Sequence, residues 1–222
     1  MINNIDTSSI KYILFDLDGT ITDPKIGITK SAQYALSKFD IHIEDLDSLE
    51  SIIGPPIHNT FSEKYNFSVE KTELAVAYFR EYFSKKGLFE NKPYPGIKRT
   101  LKDLKKSGYR LAIATSKPTI FAERILDHFN LSQYFEFIVG ASLDKTRINK
   151  SDIILECIKL FNDNSNERYV MIGDREHDII GAKKVGIKSI GVLYGYGSKN
   201  ELVAAGANRI IDNHNELLSI KE

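Results

Sequence analysis

The chain lacks most of the features that mark secreted and membrane proteins. It has a single cysteine, Cys157, among 222 residues, so no disulfide can form within it. A chain without disulfides is typical of a reducing compartment. No stretch approaches the roughly 18 apolar residues of a membrane span, and the segment Met1 to Ser9 lacks the charged start and apolar run of a secretory signal. We therefore expect a cytoplasmic protein that does not bind a membrane.

An excess of charge of one sign is missing as well. The chain has 30 basic and 30 acidic residues, and its formal net charge is zero. Proteins that bind a nucleic-acid polymer normally carry a basic excess or a basic stripe. The longest positive clusters here are two lysine pairs, Lys105-Lys106 and Lys183-Lys184, both on predicted helices. The charge pattern thus argues against a nucleic-acid partner.

Short runs of β-branched or aromatic residues recur along the chain, and helical patterns follow nearly all of them. The predicted strands are Ile10 to Phe15, Arg110 to Ala114, Phe135 to Val139, Tyr169 to Ile172, Ser189 to Val192 and Arg209 to Ile211. The predicted helices are Ile97 to Lys106, Ile120 to Phe129, Ser151 to Phe161, Asp178 to Val185, Lys199 to Ala205 and Asn215 to Ile220. This alternation predicts an α/β fold, a Rossmann-like parallel sheet with helices on both faces.

The stretch between residues 25 and 91 breaks the alternation, because it is helical throughout and contains no convincing strand. Two adjoining stripes at helical spacing predict that it has its own core. The stripes are Leu74, Tyr78 and Tyr82, and Val76, Phe79 and Phe83. We therefore predict two domains: an α/β core from residues 1–24 and 92–222, and a small all-α cap from residues 25–91, inserted after the first strand.

Two carboxylates follow the first predicted strand, in the run Asp16-Leu17-Asp18-Gly19-Thr20. Residues two apart in an extended chain point the same way, but a turn at Gly19 can direct Asp18 away from Asp16. Asp-Gly is also a common turn without a function. The complete pattern at the end of an apolar strand nevertheless indicates an active site, because ligands of such sheets bind at the carboxyl ends of the strands.

Later strand ends carry the other groups that phosphoryl transfer requires. Thr115 and Ser116 follow the second predicted core strand, and their hydroxyls either bind a phosphoryl oxygen or cap the next helix. Lys150 precedes a predicted helix, where its ammonium can neutralise a phosphoryl oxygen. Asp174 and Asp178 follow the strand that ends near Ile172 and supply a second pair of carboxylates.

These four segments, in this order, resemble the four motifs of the haloacid dehalogenase superfamily over essentially the whole chain. The resemblance implies that Asp16 is the nucleophile and that Asp18 is the general acid and base. It makes Thr115 the phosphate-binding hydroxyl and Lys150 the lysine of the third motif. The chain departs from the pattern at Ser116, where members often have asparagine, so either hydroxyl is a candidate for the phosphate contact.

The resemblance also implies a bound Mg²⁺ ion. Its expected ligands are the carboxylates of Asp16 and Asp174 and the backbone carbonyl of Asp18, with Asp178 supporting Asp174. Oxygen ligands are those that Mg²⁺ prefers in proteins. The resemblance therefore predicts a magnesium-dependent phosphatase that forms a phosphoaspartate.

The helical insert resembles the cap of the phosphoglycolate phosphatase and phosphoglucomutase branches of this superfamily, in which cap residues usually select the substrate. The stiff run around Gly54 is either a turn that faces the substrate or a break between two helices. Arg147 and Arg175 bind a second anionic group or form surface ion pairs. Six residues are the substrate-binding candidates: Gly19, Thr20, Gly54, Ser116, Arg147 and Arg175.

The segment from Gly173 to Gly197 resembles a bacterial subgroup described as 5'-nucleotidases, which favours a nucleoside 5'-monophosphate slightly over phosphoglycolate. Gly195 and Gly197 can also serve merely to shape a turn.

A sugar-phosphate mutase would keep the same four motifs. A phosphorylation-responsive receiver module is less consistent with the sequence, because the chain contains the large helical insert. A catalytically silent binding protein is less consistent with it, because no motif residue is missing. The expected partner is a small phosphorylated metabolite, and the expected state is a monomer or weak homodimer.

Overall fold

A parallel sheet of six strands forms the centre of the α/β part of the chain, within the residues that the computed structural model describes, 8–143 and 146–220. The residues outside these ranges include most of the segment Met1 to Ser9 and both ends of the predicted core domain. The strands are β1 Tyr12–Phe15, β2 Thr22–Asp23, β3 Lys92–Pro93, β4 Arg110–Pro118, β5 Phe137–Ala141, β6 Tyr169–Gly173, β7 Lys188–Val192 and β8 Arg209–Ile211. The sheet has the order β5-β4-β1-β6-β7-β8, with parallel neighbours, and β2 pairs with β3 separately.

Helices connect the consecutive strands of this sheet. The α-helices are α1 Lys25–Ser37, α2 Ile57–Asn59, α3 Val69–Tyr82, α4 Ile97–Lys106, α5 Thr119–His128, α6 Lys150–Phe161, α7 Glu176–Val185 and α8 Lys199–Ala205. Short 3-10 helices span Leu46–Ile52, Ser132–Tyr134, Asn166–Arg168 and His214–Ser219, and π-helical turns span Thr60–Lys64 and Phe83–Gly87. Within the described ranges, no helix has both the length and the apolar composition that a membrane span needs.

Strand β1 lies in the middle of the sheet and is buried on both faces. Tyr12 and Leu14 pack in a cluster with apolar residues of α6, including Cys157. Ile13 and Phe15 point to the opposite face and have no exposed surface, so that face is covered as well. Burial raises the pKa of the Cys157 thiol to about 12, as expected for a core cysteine. These observations confirm the predicted fold class and the core position of Cys157.

The segment Asp23–Lys92 forms a second compact unit, distinct from the unit built by the chain before and after it. Its helical content confirms the predicted all-α cap after the first strand, while the exact domain limits stay a prediction. Val76, Phe79 and Phe83 are buried, as the sequence predicts. The prediction is wrong for Leu74, whose exposed fraction is 54%. Leu74 lies on the side of α3 away from the buried stripe, so apolar spacing alone misplaced it.

Several boundaries differ from the prediction by one to a few residues, as for β5, which spans Phe137–Ala141 instead of Phe135 to Val139. Strand β4 continues past Ala114 to Pro118, because an irregularity after Thr115 lets Pro118 pair with Ala141 of β5. The segment predicted as a helix from Asn215 to Ile220 is a 3-10 helix, consistent with its short length.

Asp163 accepts a group of hydrogen bonds at the amino end of the central strands. Its carboxylate accepts hydrogen bonds from the N–H of Ser165, the guanidinium of Arg168 and the hydroxyl of Tyr12. Its carbonyl oxygen accepts a hydrogen bond from the Tyr169 hydroxyl at 2.7 Å. The Ser165 N–H, followed by the side-chain donors, lowers the pKa of Asp163 to about 2. The folded state therefore favours the ionised carboxylate.

Asp163→Asn is expected to lower the free energy of unfolding near neutral pH, because the charge that these donors stabilise is lost. An unfolded aspartate has a pKa of about 3.9, so this stabilisation is present above that value and disappears as the pH falls through about 2. Urea unfolding of both proteins at about pH 7 and about pH 3 measures the difference. A deficit that does not shrink at the lower pH would contradict the assignment.

Candidate active site

Asp16 lies at the carboxyl end of the central strand, one residue beyond β1. Its N–H donates to the carbonyl oxygen of Ile172 at 2.9 Å, so its backbone continues the ladder with β6. Its carboxylate oxygen Oδ1 accepts a hydrogen bond from Lys150 Nζ at 3.0 Å. Asp16 is only 6% exposed. Both its backbone and its carboxylate are therefore fixed in one orientation.

The turn that follows folds against Asp174. Gly19 has a φ of +81°, a conformation that favours glycine. A Cβ atom on Gly19 would overlap the carboxylate of Asp174. The Thr20 hydroxyl donates to Asp174 Oδ1 at 3.2 Å. Gly19 and Thr20 thus both contact Asp174. Their contact with a substrate stays a prediction.

Lys150, the first residue of α6, connects three parts of the site. Its ammonium lies 3.0 Å from Asp16 Oδ1 and 2.6 Å from Asp178 Oδ1, and it donates to the carbonyl oxygen of Ala114 at 2.9 Å. Gly181 of α7 leaves room for the Lys150 stem, because a Cβ there would come within 2.7 Å of Lys150 Cγ. Burial alone would lower the pKa of Lys150, but the carboxylates of Asp16 and Asp178 outweigh it and raise the pKa.

Asp16, Asp174 and Asp178 form a buried acidic cluster. One carboxylate oxygen of each lies within 4.8 Å of the others. Burial, followed by repulsion from Asp178 and Asp16, raises the pKa of Asp174 well above its usual value. Burial also raises the pKa of Asp178, although Lys150 opposes the shift. These oxygen donors can hold a metal ion, and a hard divalent cation fits them because it relieves their repulsion.

Lys117 was not among the predicted site residues, yet its ammonium lies 2.7 Å from Asp18 Oδ2. The two side chains are 6% and 12% exposed. The other oxygen of Asp18, Oδ1, is buried and has no hydrogen-bond partner among the described residues. Burial raises the pKa of Asp18, and Lys117 opposes this shift. Residues two apart in a strand face the same side of the sheet. The position of Lys117 two residues after Thr115 was therefore the sequence signal that could have identified it.

Thr115 and Ser116 do not cap the next helix. Helix α5 begins after Pro118 without a side-chain cap. The Thr115 hydroxyl is buried and accepts a hydrogen bond from the Lys117 N–H at 3.3 Å. Ser116 is half-buried. Of the two alternatives that the sequence left open, helix capping is therefore excluded, and the choice between the two hydroxyls stays open.

The side chains of Arg147 and Arg175 bond to groups other than the three clustered carboxylates, and the N–H of Arg175 donates to Asp178 Oδ2 at 3.2 Å. Arg147 donates from Nε to the carbonyl oxygen of Gly140 at 3.0 Å. Arg175 donates from Nε to Glu201 at 2.8 Å, so it forms an ion pair, the alternative to binding an anionic group. Gly54 belongs to the unit Asp23–Lys92, in a break between two helical segments, with a φ of +108°. Its contact with a substrate stays a prediction.

Known proteins match most of the chain in sequence, and solved structures match its fold. A sequence profile described as haloacid dehalogenase-like hydrolase matches residues 13–192. A 5'-nucleotidase of Pseudomonas aeruginosa is 44% identical over 199 residues, covering 89% of this chain and 90% of that protein. Tyrosine-protein kinase PtkA of Mycobacterium bovis is 40% identical, covering 85% of this chain and 64% of that protein. The crystal structure of a predicted phosphatase from Clostridium acetobutylicum is 51% identical and has a TM-score of 0.91, covering 95% of this chain and 97% of that one.

The chain belongs to the haloacid dehalogenase-like hydrolases. Within that family it is a phosphatase, and its substrate is a small phosphorylated compound. The predicted family and enzyme class are thereby confirmed. The receiver module and the silent binding protein do not hold as alternatives.

Replacing Lys150 by methionine is expected to lower the free energy of unfolding by about 3–5 kcal/mol, because the buried carboxylates of Asp16 and Asp178 lose their shared ammonium. Urea denaturation in the presence of a chelator measures this loss without a bound cation. Lys159→Met on the exposed side of the same helix is the matched control, with an expected change below about 0.5 kcal/mol. Equal losses in the two variants would show that the Lys150 contacts do not stabilise the fold.

Proposed function

We propose that this phosphatase is Mg²⁺-dependent and acts through a phosphoaspartate on Asp16, with a nucleoside 5'-monophosphate as the favoured substrate. The proposal rests on the position and contacts of the Asp16 carboxylate. It lies at the end of the central strand, held by Lys150 through one oxygen, within a cluster of carboxylates. Attack on phosphorus needs a fixed carboxylate whose charge is balanced, and this arrangement supplies both.

In the first step, an oxygen of Asp16 bonds to phosphorus while the bond from phosphorus to the ester oxygen breaks. Asp18 gives its proton to the departing oxygen. In the second step, Asp18 takes a proton from water, the water oxygen bonds to phosphorus, and the bond to Asp16 breaks. Inorganic phosphate leaves, and both carboxyl groups return to their initial state.

Asp18 is suited to both steps because opposite influences act on its carboxyl group. Burial favours the protonated acid, which the first step needs. The Lys117 ammonium, 2.7 Å from Oδ2, favours the carboxylate, which the second step needs. Oδ1 has no hydrogen-bond partner among the described residues and is the oxygen that we assign to proton transfer.

The phosphoryl oxygens need cationic or hydrogen-bonding partners. Lys150 supplies an ammonium beside Asp16, and the hydroxyl of Thr115 or Ser116 supplies a neutral donor. Asp16, Asp174 and Asp178 would hold the Mg²⁺ ion, together with the backbone carbonyl of Asp18. When bound, such an ion lowers the repulsion between a carboxylate nucleophile and a phosphate dianion. Oxygen-only donors support magnesium over softer metals.

The nucleotide preference is supported by the motif resemblance around Gly173 to Gly197 and by the name of the Pseudomonas relative. Phosphoglycolate and phosphoryl transfer between sugar phosphates are the alternatives. We also propose that the protein is cytoplasmic and works as a monomer or weak homodimer on free metabolites.

Asp16→Asn is expected to reduce turnover to below about a thousandth of wild type, because an amide is not a nucleophile. Asp18→Asn should be severely impaired, yet accumulate phosphoenzyme from an aryl phosphate, whose leaving group needs no proton. Intact-protein mass spectrometry after acid quench detects the added phosphoryl group. Asp212→Asn, on an exposed loop, controls for the exchange of carboxylate for amide. A phosphorylated Asp16→Asn protein would exclude Asp16 as the acceptor.

The substrate is tested by phosphate release from nucleoside 5'-monophosphates, phosphoglycolate, sugar phosphates and a phosphotyrosine peptide. We expect kcat/KM for the best nucleotide to exceed that for phosphoglycolate by at least about tenfold, and a chelator to abolish all activity until Mg²⁺ is restored. A preference for phosphoglycolate would replace the nucleotide assignment. Phosphoryl transfer from a sugar bisphosphate without phosphate release would identify a mutase.

A further inference from the structure

The loop Leu193–Gly197, which follows β7, lies directly against Asp174. The N–H of Tyr196 donates to Asp174 Oδ2 at 2.9 Å. A Cβ atom on Gly195 would come within 2.6 Å of the same oxygen and would overlap Asp174 Cβ and the carbonyl oxygen of Gly19. The loop can therefore approach this carboxylate so closely only if residue 195 has no side chain.

Gly197 makes a second close approach, because a Cβ there would overlap the carbonyl oxygen of Asp174. Neither Gly195 nor Gly197 has a positive φ. Backbone conformation therefore does not explain the two glycines, and the sequence-based alternative that they merely shape a turn is insufficient. What requires glycine at both positions is contact with Asp174.

Tyr194 attaches this loop to the turn that carries the first motif. Its hydroxyl donates to the carbonyl oxygen of Thr20 at 3.1 Å. The ring is held edge-on against Tyr94 and His214 at centroid distances of 5.0 and 5.8 Å. Thr20 in turn donates to Asp174 Oδ1. Tyr194 thus connects the residue that contacts Oδ1 with the loop whose Tyr196 N–H contacts Oδ2.

We propose that Tyr194, Gly195 and Gly197 are positioning residues that orient the Asp174 carboxylate for a divalent cation. This inference rests on the proposed function, in which Asp174 is a ligand. One oxygen of the carboxylate accepts from the Thr20 hydroxyl and the other from the Tyr196 N–H, and these two neutral donors fix the carboxylate plane. Partners of this kind, one step removed from a metal, usually change metal affinity when they are altered.

The test is Mn²⁺ binding to the metal-free protein, measured from the free Mn²⁺ signal by electron paramagnetic resonance. Gly195→Ala is expected to weaken Mn²⁺ binding at least about tenfold, and Tyr194→Phe by a smaller factor. Gly191→Ala is the matched control, because its methyl group meets the flexible end of Leu202 and not Asp174. It should keep the wild-type affinity to within about twofold. Melting temperatures recorded in parallel separate loss of stability from loss of affinity.

Wild-type Mn²⁺ affinity in a folded Gly195→Ala protein would overturn the inference and leave the proposed function standing. If Gly195→Ala does not fold, Tyr194→Phe decides, and unchanged affinity in that variant also overturns the inference. If the wild-type protein itself binds no Mn²⁺ or Mg²⁺, the proposed magnesium dependence fails, and the positioning role fails with it.

Discussion

Four buried carboxylates meet two buried ammonium groups at one edge of the sheet, and the balance of these charges is the constraint on which the site depends. Buried charges are unfavourable unless they are paired. Lys150 lies against Asp16 and Asp178, and Lys117 lies against Asp18. Asp174 is held instead by neutral donors, a hydroxyl and an N–H. Since negative groups outnumber positive ones here, a bound divalent cation would complete the charge balance, and Asp174 would gain most from it.

The topology explains how distant segments assemble this cluster. Strand β1 lies between β4 and β6, and all three run in the same direction with Tyr12 paired to Arg110 and to Tyr169. Phe15 is therefore level with Ile113 and Ile172, and the residues that follow these three positions meet without long loops. Lys150 enters from the start of a crossover helix, since it is the first residue of α6. Backbone hydrogen bonds thus set the distances, and side-chain contacts are needed only for orientation.

The sequence alone predicted the parts of the fold and site that depend on local patterns. All six core strands were found, and Asp16, Lys150, Asp174 and Asp178 do meet, because strand ends and parallel direction determine their approximate positions. Pairings between distant residues were not predicted. Lys117 followed a predicted strand that proved longer, and the contact of Gly195 with Asp174 depends on packing between segments about 20 residues apart in sequence. The spacing of residues along a strand indicates which face of the sheet a side chain points to, but not which residue it contacts there.

The environment of Asp18 acts on the protonation of its carboxyl group in two opposite directions. A general acid that must also serve as a base needs both protonation states within reach. Burial without a cation would hold Asp18 protonated and hinder the attack of water, whereas a fully solvated pair with lysine would hold it ionised and hinder departure of the ester oxygen. The structure combines burial with a single ammonium at 2.7 Å, and it leaves Oδ1 without a hydrogen-bond partner among the described residues. Because each influence opposes the other, the acid–base role that we propose for Asp18 depends on Lys117 as well.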